Sequence, residues 1–123
     1  MYESAPMTRS SLLFVLLLAP STLWAHAALV KSVPAQRAVL YRAPAKIELW
    51  FSERLEPRYS SFTLSDAEGK PVETGKTEVG SRDLKLLSAP IKPLAPGRYL
   101  IKYRVLSVDC HIVQDQFPFT VKQ

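Results

Sequence analysis

A period of two governs this sequence and limits what it can fold into. Lys46-Ile47-Glu48-Leu49-Trp50-Phe51 alternates polar with apolar residues, and Ser60 to Asp66 does the same with Phe62 and Leu64. Arg98 to Leu106 repeats the pattern with Tyr99, Ile101, Tyr103 and Val105, and Gln116 to Lys122 with Phe117, Phe119 and Val121. Successive side chains of a strand point to opposite faces, so each segment reads as a half-buried strand with one face in a core. Trp50 falls on the other face, with Lys46 and Glu48, where a ring that large is best used in packing. Ala28 to Val33, Ala38 to Tyr41 and Leu84 to Leu87 add shorter extended pieces, and Val72 to Val79 reads as an irregular edge strand.

The punctuation agrees. Pro34 suits the end of an edge strand because proline cannot donate to a ladder. Ala67-Glu68-Gly69-Lys70-Pro71 spells a hairpin turn, and Ala89 to Gly97, with Pro90, Pro93 and Pro96, is a connection that no helix can occupy. No helix-length pattern follows residue 26. The expected fold is all-β: a seven-stranded antiparallel Greek-key sandwich or barrel, immunoglobulin-like or cupredoxin-like.

The first residues read differently. Arg9 is followed by an apolar run from Ser11 to Ala19 and by a polar stretch opening at Pro20-Ser21. That run falls short of the ~20 residues of a membrane helix, so it reads as a secretory signal, with residues 1–25 removed. Cleavage after Ala25 leaves Leu23 and Ala25 at the specificity positions, whereas cleavage after Ala27 uses Ala25 and Ala27, the closer match to a small-x-small rule. The first cut makes His26 the new terminus, and the second destroys it. Residues 26–123 suffice for one small domain.

Charge and sulfur narrow the classes. The formal net charge is +5, and its bases are spread among acids and prolines, which suits a solvated basic surface better than a nucleic-acid reader. Cys110 is the one cysteine, so no intramolecular disulfide can form. Both methionines, Met1 and Met7, lie in the leader.

The residues that carry chemistry are His26, Asp109 and His111. Ser107-Val108-Asp109-Cys110-His111 sets a carboxylate and an imidazole two residues apart, on one face if the segment is extended, with Cys110 pointing the other way. An isolated Asp-x-His is more often a capped turn beside an ordinary histidine. Here the chain has two histidines in all: one beside that carboxylate, the other at a plausible new terminus. A terminal histidine offers its amine and its ring to one ion, and an amine, two imidazoles and a carboxylate suit tetragonal Cu(II), with Zn(II) an alternative.

Further stretches carry a resemblance. His26-Ala-Ala-Leu29, Ser32-Val-Pro34-Ala35, Pro44-Ala-Lys-Ile47-Glu-Leu49-Trp-Phe51-Ser52-Glu53, Pro96-Gly97-Arg-Tyr99, Ser107 to His111 and Phe117-Pro-Phe119-Thr-Val121 follow one another as in the CopC family of periplasmic copper-resistance proteins, which this chain resembles over its whole mature length. The resemblance implies a periplasmic domain that binds copper as Cu(II) for sequestration, resistance or delivery to a CopD-type inner-membrane transporter. It implies His26, Asp109 and His111 as ligands, with Glu53 near them as ligand or neighbour, or else a solvated carboxylate beside Arg54. Some members carry a methionine-rich Cu(I) site, which this mature chain cannot build. Cys110 stands where the family more often has a small residue such as glycine. A small buried or semi-buried side chain is its plainer reading, and a redox-sensitive thiol or further ligand position the sharper one.

Three functions compete. A carrier binds Cu(II) without turnover, as a monomer, outside the membrane and without nucleic acid. A copper oxidase with a terminal-histidine site is the enzymatic alternative, though no flat aromatic platform for a sugar chain is evident. A metal-free immunoglobulin-like interaction module would make both histidines incidental.

Overall fold

The computed structural model describes residue 4 and residues 27–123. The leader, the cleavage site and His26 therefore lie outside the described residues. Alternation does set the core. Ile47, Leu49 and Phe51 are buried on one strand, Phe62 and Leu64 on a second, and Tyr99, Ile101, Tyr103 and Val105 on a third. Phe117, Phe119 and Val121 close the layer, and fully burying a side chain of this size stabilises the fold by about 1.5–3 kcal/mol. Phe51 meets Tyr103 edge-on, with centroids 5.3 Å apart, and Tyr99 stacks on Phe119 at 5.5 Å.

The strands are β1 (Leu29–Val33), β2 (Val39–Leu40), β3 (Lys46–Phe51), β4 (Ser61–Ser65), β5 (Pro71–Val72), β6 (Glu78–Val79), β7 (Leu86–Pro90), β8 (Gly97–Leu106) and β9 (Ile112–Val121). A 3-10 turn, Pro57–Tyr59, precedes β4. One sheet has the order β1-β3-β7-β6 and the other β2-β9-β8-β4-β5. The all-β sandwich is as expected, but among the described residues there are nine strands rather than seven, and one pair, β2 with β9, is parallel.

The differences have local causes. Val72 to Val79 is not one edge strand. It splits into β5 on the five-stranded sheet and β6 on the four-stranded one, because a polar run with Gly75 at its middle has no continuous face to bury. Leu84 to Leu87 moves toward the C-terminus: Asp83 and Leu86 close a turn, and the strand runs on to Pro90. A proline at a strand's last residue removes one donor only. Gln116 is not the start of β9. That strand begins at Ile112 and pairs with β8 over ten residues, although its first half lacks the apolar alternation that marks its second.

Two ends of this sandwich differ in what they carry. At one, the β4–β5 turn folds on Asp66, whose N–H donates to Lys70 O at 2.9 Å and whose carbonyl accepts from Gly69 N at 3.0 Å. Gly69 sits in the left-handed region at φ 78°, where glycine carries no Cβ penalty. At the other end lie the start of β1, the loop after β3 and the β8–β9 turn, which hold the candidate residues.

Candidate metal centre

Ser107 builds the turn that carries Asp109 and His111. Its N–H donates to His111 O at 3.0 Å, and its carbonyl accepts from Cys110 N at 2.9 Å. Its hydroxyl, fully buried, accepts the His111 N–H at 3.3 Å. This is a tight hairpin turn whose fourth residue must turn left-handed, and Cys110 does so at φ 66°. The extended segment expected here is thus a turn. The i, i+2 spacing does not place Asp109 and His111 on one face of a strand; it places Asp109 within the turn and His111 at the step into β9.

Exposure follows from that position. Asp109 is open to solvent and His111 is half-buried. Cys110 is exposed, which overturns its reading as a small buried side chain: a left-handed turn residue points away from the ladder and has no core to enter. The position favours glycine for backbone reasons alone.

The loop after β3 brings Glu53 to the same end. Val108 N donates to Arg54 O at 2.9 Å, Glu56 N donates to Leu106 O at 2.8 Å, and Leu55 bridges Ser107. Leu55 is buried, so the loop is anchored while Glu53 stays half-exposed. The residue before Glu53 ties down the entry to β1. Ser52 N donates to Ala28 O at 2.8 Å, and Ala28 N donates to Ser52 Oγ at 2.9 Å. Ala27 is fully buried in the core. A bulge at Val30 then shifts the β1 register, with Leu29 opposite Phe51 and Lys31 opposite Trp50, and bulges of this kind re-aim chain ends beside sites. Lys31 Nζ lies 4.7 Å from the Trp50 ring centroid, so the outward tryptophan is half-buried under a cation.

Three segments far apart in sequence are therefore sewn together by backbone hydrogen bonds: residues 27–28, 52–56 and 107–111. Their oxygen and nitrogen donors are the half-buried His111 imidazole and the carboxylates of Glu53, Glu56 and Asp109, beside the exposed Cys110 thiol. Among the described residues, no three His, Cys, Asp or Glu gather closely enough to hold a metal by themselves. The set matches hard-to-borderline metal chemistry in type, and it is short of donors without one from residue 26. Sequence reasoning missed the Ala28–Ser52 pairing and the left-handed Cys110. The signal for the second was present, since Ser107 to His111 has the polar-x-acid-x-basic order of the Asp66 to Lys70 turn.

A two-sheet β-sandwich of this size, with oxygen and nitrogen donors on neighbouring segments at one end, narrows the class to small all-β domains. The family follows from comparison. Residues 29–122 match the CopC domain model, and the chain belongs to the CopC family. It is 37% identical over 111 residues to copper resistance protein C of Xanthomonas campestris pv. juglandis, covering 85% of this chain and 87% of that one. It is 32% identical to the copper transport protein CutJ of Bacillus subtilis over 89% of this chain, and spans about a fifth (20%) of CutJ's length. The crystal structure of CopC from Methylosinus trichosporium OB3b superposes with a TM-score of 0.74 at 35% identity, over 79% of this chain and 94% of that one. Among the described residues, no helix is long and apolar enough to cross a membrane.

Proposed function

We propose that this chain is an exported, periplasmic copper carrier that binds Cu(II) without turnover and passes it to a CopD-type inner-membrane transporter. The ligands in this reading are the amine and ring of His26, with Asp109 and His111, and Glu53 is a further ligand or a neighbour that orients one. The observation that carries it is the backbone stitching of residues 27–28, 52–56 and 107–111 at one end of the sandwich. Residue 26 is two residues from the pinned Ala28, so covalent geometry keeps it within about 7 Å of that point.

Burial also supports cleavage after Ala25. Cutting after Ala27 would remove a residue that is 0% exposed and belongs to the core, whereas cutting after Ala25 keeps the core whole and creates the chelating amine. The donors of this reading support Cu(II) as the oxidation state. Nitrogen and oxygen favour Cu(II), while Cu(I) favours thioethers, and the chain has no methionine after Met7.

The ligands must be deprotonated to bind. Protons compete with the metal for the amine and imidazole nitrogens, so affinity should fall as the pH is lowered. The deciding experiment pairs mass spectrometry of the secreted N-terminus with a Cu(II) titration of a variant carrying one glycine ahead of His26. A terminus at His26 and a loss of about a hundredfold or more are expected, since even outer-sphere changes cost 10–100-fold. Unchanged affinity overturns the role of the amine. A peroxide-driven turnover assay on polysaccharide should give background only, and turnover would favour the oxidase instead.

A further inference from the structure

The two outer faces of the sandwich carry their charges in opposite ways. On the four-stranded sheet the outward row of β3 is Lys46, Glu48 and Trp50, and each charge has a partner: Lys46 pairs with Glu48 at 3.5 Å, and Lys31 covers Trp50. On the five-stranded sheet the outward row of β8 is Arg98, Leu100, Lys102, Arg104 and Leu106. Its neighbours across β9 are Thr120, Pro118, Gln116, Gln114 and Ile112, and across β4 they are Ser65, Thr63 and Ser61. Every one is neutral. Among the described residues, Arg98, Lys102 and Arg104 are in no ion pair, and by strand geometry they span about 20 Å in a straight line.

That line leads toward the metal turn. At its end a groove of about 270 Å³ is lined by Arg58, Tyr59, Ser61, Arg104, Leu106 and Ile112. Tyr59 is 65% and Ile112 54% exposed, and Ile112 directly follows His111. Two guanidiniums beside an exposed phenol ring make a receptor for a carboxylate-bearing side chain, because a guanidinium fork matches a carboxylate.

We propose that the outer face of the five-stranded sheet docks an acidic protein segment, laid along Arg98, Lys102 and Arg104 with one carboxylate side chain in the groove beside the 107–111 turn. A row of one sign in no ion pair, with Asp66 lining a hollow beside Arg98 at its far end, selects a partner of the other sign and steers its approach. A protein segment fits better than a lipid surface. The flanks are serine, threonine and glutamine, which hydrogen-bond to a polypeptide, and the apolar members of the row, Leu100 and Leu106, are half-buried, leaving Tyr59 and Ile112 as exposed apolar groups at the groove. That this partner exchanges copper with the chain rests on the carrier reading; the docking itself does not.

The test uses the exported chain without metal and a labelled ten-residue peptide of alternating aspartate and glutamate, followed by fluorescence anisotropy. The triple variant Arg98→Glu, Lys102→Glu, Arg104→Glu should weaken binding at least about tenfold, and raising salt from about 20 to about 200 mM should weaken the parent in the same direction. A control with the same change of net charge elsewhere, Lys46→Glu, Lys76→Glu, Arg82→Glu, should stay within about twofold of the parent, since only a local row acts specifically. Arg58→Ala should show a smaller loss. The proposal is overturned by a parent that does not bind the peptide, by parent-like binding in the first triple variant, or by an equal loss in the control. Capture by vesicles of equal phosphatidylglycerol and phosphatidylcholine without peptide binding also overturns it, in favour of a membrane surface. Should the reversal unfold the chain, the glutamine triple variant replaces it and should lie between the two. Cu(II) titration of every variant separates the readings: loss of copper binding in the parent sinks the carrier, not the dock.

Discussion

The turns at the tips of the β4–β5 and β8–β9 hairpins are the same device in different surroundings. Asp66-Ala67-Glu68-Gly69-Lys70 and Ser107-Val108-Asp109-Cys110-His111 each close with a first-to-fifth and a fourth-to-first backbone bond. In each, the first side chain accepts the fifth N–H, at 2.9 Å from Lys70 to Asp66 and 3.3 Å from His111 to Ser107. Both hold an acid at the third place and a left-handed residue at the fourth. Yet only the second is tied to other segments, through Val108 to Arg54 and Ser107 to Leu55. A carboxylate two residues before a basic side chain is thus a common turn product, and the surroundings decide whether it can serve a metal.

The largest expected effect breaks the comparison at the fifth position. His111→Ala should cost about a hundredfold or more in Cu(II) affinity, whereas Lys70→Ala should leave it unchanged, as measured by competition titration. Equal behaviour of the two would end the case for the second turn. Next comes the first position. Ser107 is fully buried, so Ser107→Ala should lower stability by about 1–2 kcal/mol in urea melts, as expected when a buried partner is removed. Asp66 is on the surface, where water can replace its two bonds, and Asp66→Ala should cost less.

The fourth position sharpens the comparison. A non-glycine residue in the left-handed region costs about 1–2 kcal/mol, offset by about 0.5–1 kcal/mol because glycine loses more freedom on folding. Cys110→Gly should therefore stabilise the chain by about 0.5–1 kcal/mol. Gly69→Cys should take away a similar amount, because a Cβ there meets nothing within 4 Å and adds strain alone. Opposite shifts in melting temperature, of a few degrees each, are the readout.

The smallest effect lies along the β8–β9 hairpin. Burial first, and the Asp115 carboxylate second, raise the Tyr103 phenol above its ordinary value. The stability held by keeping it neutral is complete below about pH 10 and is lost as pH rises past that toward the raised folded value. Tyr103→Phe should flatten alkaline melting curves above about pH 10, leaving neutral stability nearly unchanged.

The same physics explains what was legible beforehand. Period-two burial was readable wherever one face is dry, so Ile47, Leu49, Phe51 and the Tyr99 to Val105 row could be assigned from residue type. The first half of β9 was not, since Gln114, Asp115 and Gln116 take their strand from pairing with β8 rather than from their own pattern. Asp109, His111 and Glu53 could be named from the sequence, but that the segments carrying them lie at one end depends on Ser52, Leu55 and Ser107, which work through bonds to the backbone that no hydrophobic pattern advertises. The row of Arg98, Lys102 and Arg104 was hidden for a related reason: bases that look scattered along the sequence align once a strand fixes their spacing.

The two hydrogen bonds between Ala28 and Ser52 act as a clasp. They fasten the entry of β1 to the loop that carries Glu53, so neither can drift without breaking both. A Ser52→Ala change would remove the hydroxyl's share and leave the backbone bond, loosening the clasp rather than opening it.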